Sequence, residues 1–432
     1  MSIASRIIGR AGRWLASAAC LAAASFAGAA EKVAVVVGGG DDAPKVIIRE
    51  GAEKPWHLTK DKDALEAGWQ LVGGLGTTIV SANGAVQARL VADLAEHSPF
   101  PILETSILLQ EPKGADMAFV LERGRIDLLN MKKAGAATIR ITVRDMTGTV
   151  TLKEPGSRLV IEMYSRWAKG VPFKLKPTEK DVPAMVLMFI AVKGEIELKG
   201  SEQTFELKAP PGPAMLILDS LSDGEPQVQS LEKVPEWVDE KEPEKFKRIK
   251  EGLKAMRDHA DKVPLGQGLL LMTLSEDEEI RKTGMILLGA LDDLPRLAVA
   301  MATARHSDVP EEGIVVLRRW IGRGPGQDLK LYNALVEKGS FKPAEAELTL
   351  QLLHSFGDDE LKKPHLYQAL IHFLDSDRAL IRALAHWHLV RLVPEGRKIA
   401  FKTIDAKERH QNMIKAWKDM IPEGTLPGSK PQ

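Results

Sequence analysis

Cysteine is all but absent from this chain. The single one in 432 residues is Cys20, inside an apolar N-terminal stretch. Disulfides, cysteine-ligated zinc and a thiol nucleophile are therefore excluded downstream of it. An excess of either charge is also missing, with 59 basic against 59 acidic residues. Nothing suggests the clustered basic surface that nucleic acid favours. No Gly-x-Ser-x-Gly, His-Glu-x-x-His or phosphate-loop signature is present. No apolar run is long enough to span a bilayer comfortably, the best being Trp14 to Ala27.

That run belongs to a three-part layout. Arg6, Arg10 and Arg13 precede it without an acid, and Ala27-Gly28-Ala29 follows with the small residues a signal peptidase reads. This predicts a secretory signal over 1–30, cleaved after Ala29 or Ala30, with Ala27 and Ala29 as the processing residues. Losing three arginines leaves 56 basic against 59 acidic residues, about −3. Two alternatives stay open: an uncleaved anchor, or lipidation of Cys20 after Ala18-Ala19, although Ser17 stands where leucine is preferred. Cleavage predicts an extracytoplasmic protein, periplasmic or secreted. Export permits disulfides without requiring them.

The length exceeds one ordinary core, and 44% apolar content is that of a globular protein. The front half reads as β. Val86, Ala88 and Leu90 alternate with polar residues, as do Ile139, Ile141 and Val143, and Leu159, Ile161 and Met163. Strands with one wet face suit an antiparallel sandwich or barrel. Asn83-Gly84 predicts a hairpin turn. Two segments repeat one pattern: Arg123-Gly124-Arg125-Ile126-Asp127-Leu128 and Lys193-Gly194-Glu195-Ile196-Glu197-Leu198. Glycine at such points permits a strand to bend or a backbone to approach closely.

With Leu71-Val72-Gly73-Gly74, Ala82-Asn83-Gly84-Ala85 and Gly156-Ser157-Arg158-Leu159-Val160-Ile161, these segments resemble the FecR-type extracytoplasmic domain over roughly residues 55–220. Leu159 stands where that family has phenylalanine, and extra residues lie around Arg166–Val182. The resemblance implies a β-domain that recognises a ligand or a cell-envelope component. FecR-type regulators also carry a cytoplasmic sigma-factor domain. About a dozen residues precede the apolar segment here, too few for a folded domain.

Residues 31–54 read as a linker or edge strand, 55–222 as the β-domain and 223–243 as a linker with Pro226, Pro235 and Pro243. Residues 244–421 read as helical and 422–432 as a tail. Short amphipathic helices near 294–305, 311–321, 329–337, 343–355 and 363–374 suit an α-solenoid. Ser275-Glu276-Asp277-Glu278 predicts a capping box. Ile280-Arg281 aligns with Ile381-Arg382, Leu288 with Leu389 and Leu291 with Leu392, and these segments resemble the second helix of HEAT-type repeats. A terminal helix should run from Asp405 to Ile421, with Trp417 on its apolar side.

Candidate chemistry is sparse. His386 and His388 at i, i+2 diverge by about 200° on a helix, which makes them poor joint metal ligands. His365 and His372 join no carboxylate. Gly38-Gly39-Gly40 lacks a second glycine spacing and a following helix, and Gly322 to Gly326 reads as a connector. Asp41-Asp42, Asp292-Asp293 and Asp358-Asp359 read as solvated or capping acids. Trp320, Trp387 and Trp417 read as packing residues, though an exposed tryptophan would be a hot-spot candidate. The expectation is a non-enzymatic binding or scaffold protein with no catalytic residue, metal or cofactor. A protein partner would sit on the repeats, and an envelope polymer or small ligand on the β-domain. An accessory sensor in cell-surface signalling and a carboxylate-dependent envelope hydrolase are the alternatives. Few core contacts should cross Pro235–Pro243, so each half should fold alone.

Overall fold

The computed structural model describes residues 31–37, 46–73, 77–91, 103–222, 224–235, 238, 244–401 and 407–428. Ala27, Ala29, Cys20, Gly38-Gly39-Gly40 and Asp41-Asp42 lie outside them.

The β region holds sixteen strands among the described residues. The first five are β1 (Lys32–Val37), β2 (Ile47–Arg49), β3 (His57–Leu58), β4 (Ala64–Glu66) and β5 (Gln70–Gly73). A hairpin of β6 (Thr77–Ser81) and β7 (Val86–Val91) follows, then β8 (Thr105–Leu109) and the long β9 (Met117–Asn130). A second hairpin, β10 (Ala137–Val143) and β11 (Met146–Leu152), leads to β12 (Arg158–Arg166) and the long β13 (Ala184–Lys199). β14 (Thr204–Ala209), β15 (Ala214–Asp219) and β16 (Val228–Ser230) complete the set.

Two layers form. One runs β4-β1-β6-β7-β9-β12-β13-β15-β16 and the other β3-β2-β5-β8-β9-β10-β11-β13-β14. Only β9 and β13 belong to both. Through them β9, β10, β11, β13 and β12 close into a five-stranded barrel. Each long strand changes layer at its motif glycine, Gly124 at φ 99° and Gly194 at φ 82°. An added Cβ on Gly124 would run into the Cα of Thr105, and one on Gly194 would sit 2.9 Å from Ser157 Cβ. The repeated sequence motif is thus a repeated bend.

The repetition extends to whole units. A hairpin (β6–β7 or β10–β11) is followed by a strand (β8 or β12) that pairs with the first half of a long strand. The second half of that strand then returns to the hairpin, β9 to β7 and β13 to β11. The register slips at matching points, between Ser106 and Ile107 and between Arg158 and Leu159.

Three expectations need correction. Residues 31–54 are no edge: β1 lies between β4 and β6, and β2 between β3 and β5. The Asn83-Gly84 hairpin exists, but only Gly84 has positive φ, at 72°. Ser81 Oγ accepts from the amides of Ala85 and Val86, so a longer side-chain-braced loop replaces the two-residue turn. Strands β9 and β12 are also buried on both faces. Arg125 is 1% exposed and Glu162 2%, and they pair with each other. Arg89 and Arg158 both reach Asp127. Arg158 also donates to the carbonyl of buried Val238, which lies against that face.

Eleven α-helices follow among the described residues. They are α1 (Glu244–Ala260), α2 (Leu265–Met272), α3 (Glu278–Ala290), α4 (Leu294–Thr303), α5 (Asp308–Gly322) and α6 (Gln327–Glu337). Then come α7 (Pro343–His354), α8 (Asp358–Leu361), α9 (Pro364–Phe373), α10 (Ala379–Leu392) and α11 (Lys407–Met420). Neighbours α2 and α3, α4 and α5, α6 and α7, and α9 and α10 pack together. Their second members stack in turn, α3 on α5, α5 on α7, and α10 on both α5 and α7.

Asp277, not Ser275, caps α3, accepting from the Ile280 amide at 3.0 Å. Ser275 Oγ instead accepts from the Asp277 amide, as Ser376 Oγ does from Arg378. The Ile-Arg alignment is structural. Arg281 returns to the Ser275 carbonyl at 2.8 Å and Arg382 to the Ser376 carbonyl at 2.6 Å. Trp417 is fully buried in α11.

Candidate functional site

One void opens between the two layers, at the end where β10–β11 and β13–β14 turn. It measures about 690 Å³, within the range of small-molecule sites. Ile141, Val143, Val150 and Leu198 line one wall, with Leu187, Phe189, Leu216 and Leu218 opposite. The alternation that fills the sandwich elsewhere points these side chains inward. Charged residues stand only at the mouth: Asp145 in one turn, Lys199 and Glu202 at the other, all exposed. Met146 adds an apolar lip, 43% exposed. Such a space can hold an apolar body with its polar end in water.

A second cleft of about 180 Å³ lies among α3, α5 and α10. Glu278, Asp308, Glu311, Lys282, Arg391 and Trp387 border it. Burial and nearby Asp308 raise the Glu311 carboxyl. Asp308 is already committed to Arg281, at 2.8 Å. Two cations stand near the Trp387 ring, Arg391 at 4.4 Å and Arg318 at 5.1 Å from its centre. Burial, with Arg391 and Arg319 nearby, lowers Arg318 to about 10.

The third constellation joins the two regions and answers the expectation that few core contacts would cross. Glu104 accepts from Arg123 Nε at 2.5 Å and Arg323 Nη2 at 2.6 Å. Burial alone would raise the Glu104 carboxyl, but the two guanidiniums outweigh it and hold it low. Arg323 also meets Asp292 at 2.8 Å. The carbonyls at the end of α3 and of the capping residue after it are claimed by side-chain donors: Gly289 by Arg323, Ala290 by Arg123 and Leu291 by the Trp56 indole. The Trp167 indole donates to Ile321 near the end of α5. At the end of α7, His354 Nδ1 donates to the Val171 carbonyl at 3.1 Å. Its Nε2 stands 3.3 Å from Asp328, in ion-pair range without hydrogen-bond geometry. Helix C-termini carry unpaired carbonyls and partial negative charge, so the Arg123, Arg323, Trp56 and Trp167 donors suit them, while the His354 bond runs the other way, from α7 to a β-region carbonyl. Ile47, Val72 and Leu103 join the helical hydrophobic cluster, with Trp56, Trp167 and Phe173 packed on it. The extra residues around Arg166–Val182 are therefore a docking arm.

The sequence candidates separate accordingly. His386 stacks on Phe401 at 4.2 Å, whereas His388 Nε2 donates to the Leu352 carbonyl, 2.7 Å away. They face different neighbours, and burial lowers each to about 4. Asp293 caps α4 and Asp358 begins α8, paired with Lys169. No group of three metal-ligating side chains occurs among the described residues. The Gly322–Gly326 connector carries Arg323, whose role no spacing in the sequence signalled. No described helix is long and apolar enough to cross a membrane. No family model, curated protein or solved structure matches the chain.

Proposed function

We propose that this chain is a non-enzymatic extracytoplasmic binding or scaffold protein. Its β region is read as a FecR-like recognition domain and its helices as a HEAT-like solenoid that holds a protein partner. The cavity of about 690 Å³ carries this reading. Its inner walls are apolar and its charges lie at the mouth, an arrangement for holding a ligand without acid–base chemistry on it. The partner surface is assigned to the cleft around Trp387, a half-buried aromatic with two arginines near its ring.

Titration with N-phenyl-naphthylamine, whose emission rises in apolar surroundings, tests the cavity. One equivalent should bind, and Leu218→Trp, which plugs the opening, should abolish the signal while circular dichroism is unchanged. No emission rise with the wild-type protein overturns the reading. Sequencing of the exported protein tests location: its N-terminus should be Ala30 or Glu31, and a lipid-modified Cys20 would contradict this.

A further inference from the structure

The cavity is an unfilled end of a sandwich core, and that limits what can enter it. Layers packed face to face lie about 10 Å apart and are normally filled by interdigitating side chains. An occupant replaces those side chains and must share their chemistry. Ile141, Val150, Leu187 and Leu216 present aliphatic walls, with Phe189 between them. The charged residues stand at the mouth, as do the exposed Thr147, Ser201 and Gln203, so hydroxyl or amide groups of a sugar or peptide buried against the aliphatic walls would lose water without a hydrogen-bond partner.

The mouth has its own pattern. Lys199 and Glu202 make no ion pair among the described residues. Lys199 offers one cation, and Asp145 and Glu202 offer two carboxylates. A plain anionic head would meet Lys199 but be repelled by both acids. A head carrying both charges offers its phosphate to Lys199 and its ammonium to the acidic residues of the mouth, Glu202 and, beside Arg144, Asp145.

Resting on the binding reading above, we propose that the cavity takes the acyl chain of a single-chain zwitterionic amphiphile of the lysophospholipid class, with its head at Asp145, Lys199 and Glu202.

The test is calorimetric titration of the full mature chain with palmitoyl lysophosphatidylcholine below its micellar concentration. Palmitate, glycerophosphocholine and N-phenyl-naphthylamine are titrated alongside. One lysophosphatidylcholine should bind per chain, glycerophosphocholine should not bind, and palmitate should bind about tenfold more weakly. Lys199→Glu should weaken lysophosphatidylcholine by about tenfold and more than it weakens the uncharged fluorophore. Leu218→Trp should abolish both, with circular dichroism confirming that each variant is folded. Fluorophore binding without lysophosphatidylcholine binding overturns the ligand class and leaves the cavity reading standing, as does a preference for palmitate. Absence of fluorophore binding overturns both.

Discussion

Phe119 and Phe189 each stand five residues before a bend glycine, yet Phe119 is completely buried and Phe189 borders the cavity. They hold equivalent places in a duplicated unit. Phe119 pairs with Ile141 of β10 and Phe189 with Leu216 of β15, so different strands close over them. One copy has a filled core and the other an open one. Phe119→Ala should cost about 3–5 kcal/mol as a buried aromatic truncation. Phe189→Ala, next to existing space, should cost clearly less. Urea unfolding of both variants checks this, and equal losses would contradict it.

Glu104 links the β region to the helices through two arginines. Glu104→Ala leaves both Arg123 and Arg323 without their shared carboxylate, and breaking such a buried pair costs about 3–5 kcal/mol. The pH sense follows from its lowered pKa. The contribution is complete above the unfolded carboxyl value and fades as pH falls through the folded one. Thermal melts against pH should show acid destabilisation that is smaller in Glu104→Gln than in the wild type.

The buried histidines act in an earlier window. His386 and His388 titrate near 4 in the fold, against 6.5 as the reference. The unfolded chain therefore binds more protons between these values, and stability must fall as pH drops from about 6.5 towards about 4. Each histidine contributes up to about 3 kcal/mol, at about 1.4 kcal/mol per pH unit. His386→Phe keeps a ring on Phe401 and removes the titration, so its stability should vary less steeply across that window. An unchanged slope would refute the assignment.

Bend glycines differ from turn glycines. Gly135 also has positive φ, 83°, but nothing lies near its missing Cβ. Gly135→Ala should cost about 1 kcal/mol of backbone strain. Gly124→Ala adds a collision with the Thr105 backbone, which cannot swing aside as a side chain would. It should cost at least about 3 kcal/mol. Chemical denaturation of the pair separates strain from collision, and similar values would remove the bend from the argument.

Cutting the chain within residues 236–243 should leave two parts that bind each other. Mixed fragments 31–235 and 244–432 should associate in sedimentation, and Arg323→Ala in the second should weaken them by about tenfold or more. Fragments that sediment independently would show the shared contacts to be energetically minor.

Strand alternation, the two glycine motifs and most helix boundaries were legible because each rests on local rules. A bend needs glycine, a half-buried strand alternates, and a helix repeats its apolar face. The Ile-Arg pairs were legible for the same reason: Arg281 and Arg382 both fold back onto a nearby serine carbonyl. The cap of α3 was misplaced by two residues because Ser275, Asp277 and Glu278 all belong to capping chemistry and only geometry chooses among them. Arg323 and Glu104 are 219 residues apart, and no period connects them. The cavity was invisible for another reason. It is an absence of side chains, and Leu187, Phe189 and Leu216 read as ordinary core.

The donors at the ends of α3, α5 and α7 have a mechanical consequence. Free stacks of helix pairs behave as springs, because each pair touches only its neighbours and small rotations accumulate. Here the second helices of three successive pairs are tied at one rim to the β region by Trp56, Arg123, Trp167 and His354. Stretching or twisting this stack must first pull those anchors from their carbonyls. Its compliance is left to the opposite rim and to the last pair, α9 and α10.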